Sequence, residues 1–241
     1  MKQKLCITKY QEDIYCIEEL GYSEHCNCYL LIGKEKCLLI DTGIGLINLQ
    51  EALKKIIEKK ELIVVLTHLH FDHIGGTHNF SNIIVNKINI ENKNLGLEYF
   101  SKQDLQEEKQ FNELVLQIKK NAVSGKKEFK QAKQGKIIDL GNFSVEIIFT
   151  PGHDSSSICL FEKTKKILFS GDTIYDGNLY YSFPDSDINK YIHSLKKIKD
   201  LNPKIIMGGH NSPIQKNVET IIDKKINFLT MLTKKMITNK D

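Results

Sequence analysis

Apolar and polar positions along this chain fall into two series of short strands, each broken by amphipathic helices. In the first series, residues 13–18, 27–32 and 36–40 read as strands, with Gly33-Lys34 as the middle turn. Residues 46–60 then place Leu46, Leu49, Leu53, Ile56 and Ile57 on one helical face and Lys54, Lys55, Glu58 and Lys59 on the other. The run Leu62-Ile63-Val64-Val65-Leu66 is apolar and partly β-branched, as a buried strand requires, and residues 83–85 form another short strand. In the second series, residues 143–149, 158–162 and 166–169 are strands, with Lys163-Thr164-Lys165 as a turn. A helix over 187–199, a last strand over 205–207 and an amphipathic helix over 217–235 complete it. Between the two series, residues 88–135 are weakly patterned. Within them, 105–120 has helical spacing at Phe111, Leu114, Val115 and Ile118.

Chemistry collects where the strands end. The first cluster is Thr67-His68-Leu69-His70-Phe71-Asp72-His73, followed by Ile74-Gly75-Gly76, in a chain with eight His in all. His68 and His70 are two apart, so an extended backbone projects both to one side and makes half a site for zinc or a similar transition metal. A change of direction at Asp72 and His73 can send that pair to a second metal. Two ions need more ligands than this. Thr150-Pro151-Gly152-His153, Ser170-Gly171-Asp172-Thr173 and Gly208-Gly209-His210 each follow an apolar run and offer a His or Asp. Strand ends of this kind are where active sites of open α/β layers gather. His25, His78 and His193 match no such pattern.

Taken together, THxHxDH, PGH, GDT and GGH resemble the metallo-β-lactamase-fold superfamily, from about Ile14 to Pro213. The resemblance implies an αββα sandwich of two mixed β-sheets flanked by helices, formed by residues 1–241 as one domain. It implies His68, His70 and His153 on one metal, Asp72, His73 and His210 on the other, and Asp172 bridging them. In that family the Asp41-Thr42-Gly43 loop lies beneath the metals, so Asp41 is expected to orient a ligand imidazole; a helix-capping role for Asp41 is the other reading. Residues 88–135 would be an inserted cap that sets substrate choice, or else a surface helix or dimer face. The text around Ile40-Asp41-Thr42-Gly43 and from Ser157 to Gly177 is similar to the acyl-CoA-thioesterase-like and glyoxalase II-like branch.

Composition narrows the setting. A net charge of +4 is mild and spread along the chain, and every basic residue is Lys, which removes the planar two-donor clamp of Arg. No nucleic-acid partner is expected. No apolar run approaches the roughly 20 residues of a membrane span, and Met1 to Tyr10 shows no signal-peptide core. The six Cys are scattered without a CxxC pair, which favours reduced thiols in a cytoplasmic protein.

Two divalent ions, zinc first with iron or manganese as alternatives, can hold a hydroxide at neutral pH, because metal binding lowers water's pKa from about 15.7 toward 7. The expected reaction is hydrolysis of a small molecule with an electrophilic carbonyl, a thioester or ester. Asp72 would handle the nucleophile's proton and Tyr175, three residues after Asp172, would protonate the leaving group. A lactonase and a mononuclear iron dioxygenase acting on persulfides are the alternatives. The aromatic run Leu179-Tyr180-Tyr181-Ser182-Phe183-Pro184 is expected to form a slot for an acyl chain, closed by the 105–118 helix, or else to pack into the sandwich edge.

Overall fold

Among the described residues, seven strands of the first half join in sequence order: β1 (Lys4–Gln11), β2 (Ile14–Leu20), β3 (Asn27–Ile32), β4 (Lys36–Ile40), β5 (Glu61–Val65), β6 (Asn82–Val85) and β7 (Glu128–Gln131). The structure is a computed structural model that describes residues 4–20, 26–86, 116, 120 and 128–238. Strands β1 to β4 pair antiparallel and β4 to β7 pair parallel. The switch comes between β4 and β5, where α1 (Leu49–Ile57) supplies the crossover that a parallel pair needs. Leu49, Leu53 and Ile57 of α1 are buried in one core with Leu30, Leu39, Val64 and Ile83 of the sheet. Each such side chain withdrawn from water contributes about 1.5–3 kcal/mol.

The amphipathic run that begins at Leu46 becomes helical only at Leu49. The buried carboxylate of Glu19 accepts the N–H groups of Gly45, Leu46 and Ile47 at 2.9, 3.0 and 2.8 Å, which holds them in a loop. Asn48 then caps the helix by accepting from the Glu51 N–H at 3.0 Å, so the capping role considered for Asp41 belongs to Asn48.

In the second half, β8 (Ile137–Asp139), β9 (Ser144–Phe149), β10 (Ile158–Glu162), β11 (Ile167–Gly171) and β12 (Ile205–Gly208) form a sheet in the order β12-β11-β10-β9-β8. Strand β10 is antiparallel to β9 and β11, whereas β11 and β12 are parallel. Helix α3 (Ile188–Leu201) is the crossover between those two, and α4 (Val218–Thr238) follows β12. Tyr191, Leu195 and Ile198 of α3 and Ile222, Ile226 and Leu229 of α4 share a core with Cys159, Leu168 and Ile206. A one-turn helix, α2 (Phe71–Ile74), lies in the first half just after β5.

Both sheets are mixed and each carries packed helices. The chain divides into two compact units, Met1–Ala132 with Asp139–Phe143, and Lys133–Ile138 with Ser144–Asp241. Strands β3, β4 and β10 have the boundaries expected from sequence. Strands β1, β7 and β8 were not expected. Most of the anticipated cap, including the 105–118 helix apart from Leu116, lies outside the described residues, and β7 near its far end is a strand of the first sheet paired parallel to β6.

Candidate metal centre

In the first unit, the donors stand on the connection from β5 into α2. His70 keeps an extended backbone, φ −76° and ψ 153°, immediately before the helix. His68 and His70 therefore lie on one side, with ring centroids 4.6 Å apart, and α2 turns the chain so that His73 returns to within 4.1 Å of the His68 ring. Asp72 and His73 sit on this one turn of helix rather than on an open loop. All four donors are buried.

The backing of this connection is built from small residues and paired polar groups. Gly75 and Gly76 lie against the 42–44 backbone: a Cβ at Gly75 would meet the Ile44 carbonyl oxygen at 1.8 Å and one at Gly76 the Thr42 oxygen at 2.2 Å. The Thr42 N–H and hydroxyl both donate to the His73 carbonyl, at 2.8 and 3.0 Å. The Cys26 thiol donates to the Asp72 carbonyl at 2.9 Å. Asp41, in the left-handed region at φ +62°, which Asp tolerates, accepts from the Thr67 N–H and hydroxyl, both at 2.7 Å. Its Oδ2 also lies 2.8 Å from His73 Nδ1. Motif logic pointed to Asp41 and to its Asp41-Thr42-Gly43 loop; the roles of Glu19 and Cys26 were missed, since each acts through a contact distant in sequence.

In the second unit, Asp172 stands between two imidazoles. Its Oδ2 is 3.2 Å from His210 Nε2 and 3.6 Å from His153 Nε2. His153 Nδ1 lies 2.9 Å from the Tyr180 carbonyl, and the Ser186 hydroxyl donates to the carbonyl of His153 itself at 2.6 Å. Tyr191, wholly buried, donates to the Asp172 carbonyl at 3.0 Å, and burial pushes its phenol well above the ordinary value. Gly152 is required by its neighbour, because a Cβ there would meet Tyr191 Cα at 2.3 Å.

The donor chemistry suits a divalent cation. A carbonyl only accepts, so His153 Nδ1 carries the proton and its Nε2 presents a lone pair toward Asp172. Likewise, Asp41 draws the His73 proton to Nδ1, so His73 Nε2 presents a lone pair toward Asp72 Oδ2, 3.2 Å away. Each pair sets two acceptors against each other, and positive charge between them turns repulsion into coordination. Imidazole and carboxylate are the donors zinc, iron and manganese accept.

Tyr175 is buried, and its hydroxyl donates to the Asn178 carbonyl at 2.6 Å while its ring meets the His210 ring edge-on at 5.3 Å. His78 Nδ1 is engaged with the Gly75 carbonyl at 3.1 Å, and His25 lies outside the described residues.

Fold and donors together define a metallohydrolase architecture, and the comparisons with known proteins agree. The family model described as Metallo-beta-lactamase superfamily matches residues 22–210, which include every motif above. The acyl-coenzyme A thioesterase MBLAC2 of Homo sapiens is 31% identical over 226 residues, covering 83% of this chain and 79% of that protein. The hydroxyacylglutathione hydrolase GloC of Haemophilus influenzae is 28% identical over 197 residues, covering 77% and 85%. Among solved structures, a metallo-beta-lactamase family protein from Thermus thermophilus superposes with a TM-score of 0.69 at 17% identity, over 94% of this chain and 82% of the other. The chain belongs to the metallo-β-lactamase superfamily and is a hydrolase of that fold, with His/Asp clusters suited to divalent metal.

Proposed function

We propose that the protein is a dinuclear metal-dependent thioesterase, zinc being the expected metal, and that the donor sets of both units serve one centre. His68, His70 and His153 would hold one ion, Asp72, His73 and His210 the other, and Asp172 would bridge. The family match across all four motifs and the facing donor pairs within each unit support this assignment. When bound, two divalent ions supply a hydroxide nucleophile at neutral pH and polarise the scissile carbonyl.

The chain's own residues then have the following work. Asp41 and the Tyr180 carbonyl fix the tautomers of His73 and His153, so that Nε2 of each would be the atom to hold an ion. Asp72 orients the nucleophile or accepts its proton. Tyr175 gives a proton to leaving groups that need one, and it must first leave the Asn178 carbonyl.

That last contact carries the preference for a thioester over an oxygen ester or lactone. A thiol leaves as thiolate, with an ordinary pKa of about 8.5 for a cysteine-like thiol, and departs without prior protonation, whereas an alkoxide is far more basic. A tyrosine already committed to a backbone carbonyl at 2.6 Å is tolerable for the first and costly for the second. The names of the relatives in both thioester-cleaving groups support the same choice. Among the described residues no helix is long and apolar enough to cross a membrane, and the six free cysteines support a reducing, cytoplasmic setting.

The test is elemental analysis of protein purified without added metal, joined to a panel of matched thioesters, esters and lactones. About two ions per chain with thioesters turned over fastest is the expected result. A single iron with persulfide oxidation, or lactones as the best substrates, would replace the reading.

A further inference from the structure

The loop after the Asp172 strand end spends its backbone on anchors. The carbonyls of Asp176, Gly177, Asn178 and Tyr180 accept in turn from Asn211 Nδ2 at 2.7 Å, Lys225 Nζ, the Tyr175 hydroxyl at 2.6 Å and His153 Nδ1 at 2.9 Å. Four fixed carbonyls in five residues make a preorganised wall. Beside it lies a cavity of about 500 Å³ lined by residues 178–182, Lys225 and Phe228. That volume falls within the roughly 300–1,000 Å³ usual for small-molecule sites.

Aromatic rings and Leu179 share the lining with the polar Asn178, Ser182 and Lys225. Tyr180 is 54% exposed and Phe228 45%, large apolar faces left in contact with solvent around the cavity. The Tyr181 and Phe228 rings meet at 5.8 Å, which ties the loop to α4. Among the described residues no acidic side chain lines the cavity. Lys225, the one cation among the described lining residues, turns its ammonium onto the Gly177 carbonyl, and burial holds its pKa below the ordinary value. Exposed aromatic faces around a rigid cavity, with the charge turned aside, match an alkyl guest better than a polar one. The wall is also one contact away from the proposed chemistry, because the Tyr180 carbonyl holds His153 and the Phe183 ring lies 5.3 Å from the His153 ring.

We propose that this pocket, between the 178–182 loop and α4, is the subsite for the alkyl chain of the substrate's acyl group, which makes the protein selective for medium and long acyl chains over acetyl. The inference rests on the thioester reading above. It also assigns the wall opposite the aromatic loop to α4, where the sequence pointed to the 105–118 helix.

The test uses the full-length, metal-loaded protein with acetyl-CoA and decanoyl-CoA, and separately the binding of dansyl-undecanoate followed by fluorescence. Phe228→Ala removes one wall and Ser182→Trp fills the space; both positions are solvent-facing, so both variants should fold. Both are expected to lower the decanoyl-to-acetyl ratio of kcat/KM by roughly tenfold or more, since each methylene kept out of an apolar site costs a factor of about four. Both should weaken the probe by a similar factor. Thioester turnover with an unchanged ratio in both variants overturns the pocket. If no thioester is turned over, the proposed reaction falls and the probe decides: binding weakened by both substitutions upholds the alkyl site, and binding indifferent to both overturns it.

Discussion

His73 and Asp41 meet through Nδ1 and Oδ2 at 2.8 Å, with both side chains buried, and the same oxygen accepts from the Thr67 hydroxyl. Asp41→Asn keeps the size and tolerates the left-handed backbone, but it replaces a carboxylate that fixes the imidazole proton. Metal affinity is expected to drop about 10–100-fold, read by chelator competition, with the fold intact by circular dichroism. Unchanged affinity would reduce Asp41 to a structural buttress.

Asp172 Oδ2 lies within reach of two imidazoles at 3.2 and 3.6 Å. Asp172→Ala should lower the metal content from about two ions per chain toward one and remove most turnover. Full retention of both ions would deny the bridge.

Gly75 and Gly76 test the backing of the donor loop. With the Ile44 and Thr42 carbonyl oxygens where their Cβ atoms would go, Gly75→Ala or Gly76→Ala must push backbone apart. Overpacking of this kind costs about 1–3 kcal/mol, sometimes more, and should appear in denaturant melts.

Tyr175→Phe separates leaving groups. Oxygen-ester turnover should fall by about 10²-fold or more, while turnover of the matched thioester falls less than about tenfold. Equal losses would mean that the hydroxyl serves the loop, through the Asn178 carbonyl, and not the proton.

Asp187 caps α3 by accepting from the Lys190 N–H at 3.0 Å, and that bond holds its carboxyl below the ordinary value. Asp187→Ala should cost about 1 kcal/mol at neutral pH. A depressed folded pKa gives stability that is present above the unfolded value of about 3.9 and lost as pH falls through the folded one. The gap between wild type and variant should therefore close below about pH 4.

Local pattern carried much of this molecule. The uninterrupted apolar runs of β3, β4, β10 and β11 announced buried strands, that of β5 a strand buried only at its end, and the four strand-end motifs marked the His and Asp side chains proposed as ligands. What local pattern lacked was anything set by partners far along the chain. Leu46 and Ile47 look helical until Glu19 takes their N–H groups from 27 and 28 residues away. Strand β1 is an edge strand half open to solvent, with a bulge between Lys9 and Gln11, so its alternation is weak. Strand β8 is three residues long and β7 four, too short to show a period. Asp72 and His73 stand on a helix of only one turn, which no 3.6-residue periodicity can reveal.

The buried thiols give this protein an internal clock. Cys26 and Cys37 lie in the first unit and Cys159 in the second, all shut from solvent, and burial raises each thiol's pKa, that of Cys159 to about 11. At neutral pH none offers much thiolate to an alkylating reagent until the structure around it opens. Timed alkylation read by mass spectrometry would therefore report an opening rate at Cys159 and another at Cys26. Comparing the two, with and without added metal, would show which unit the ions hold shut and whether the two give way together.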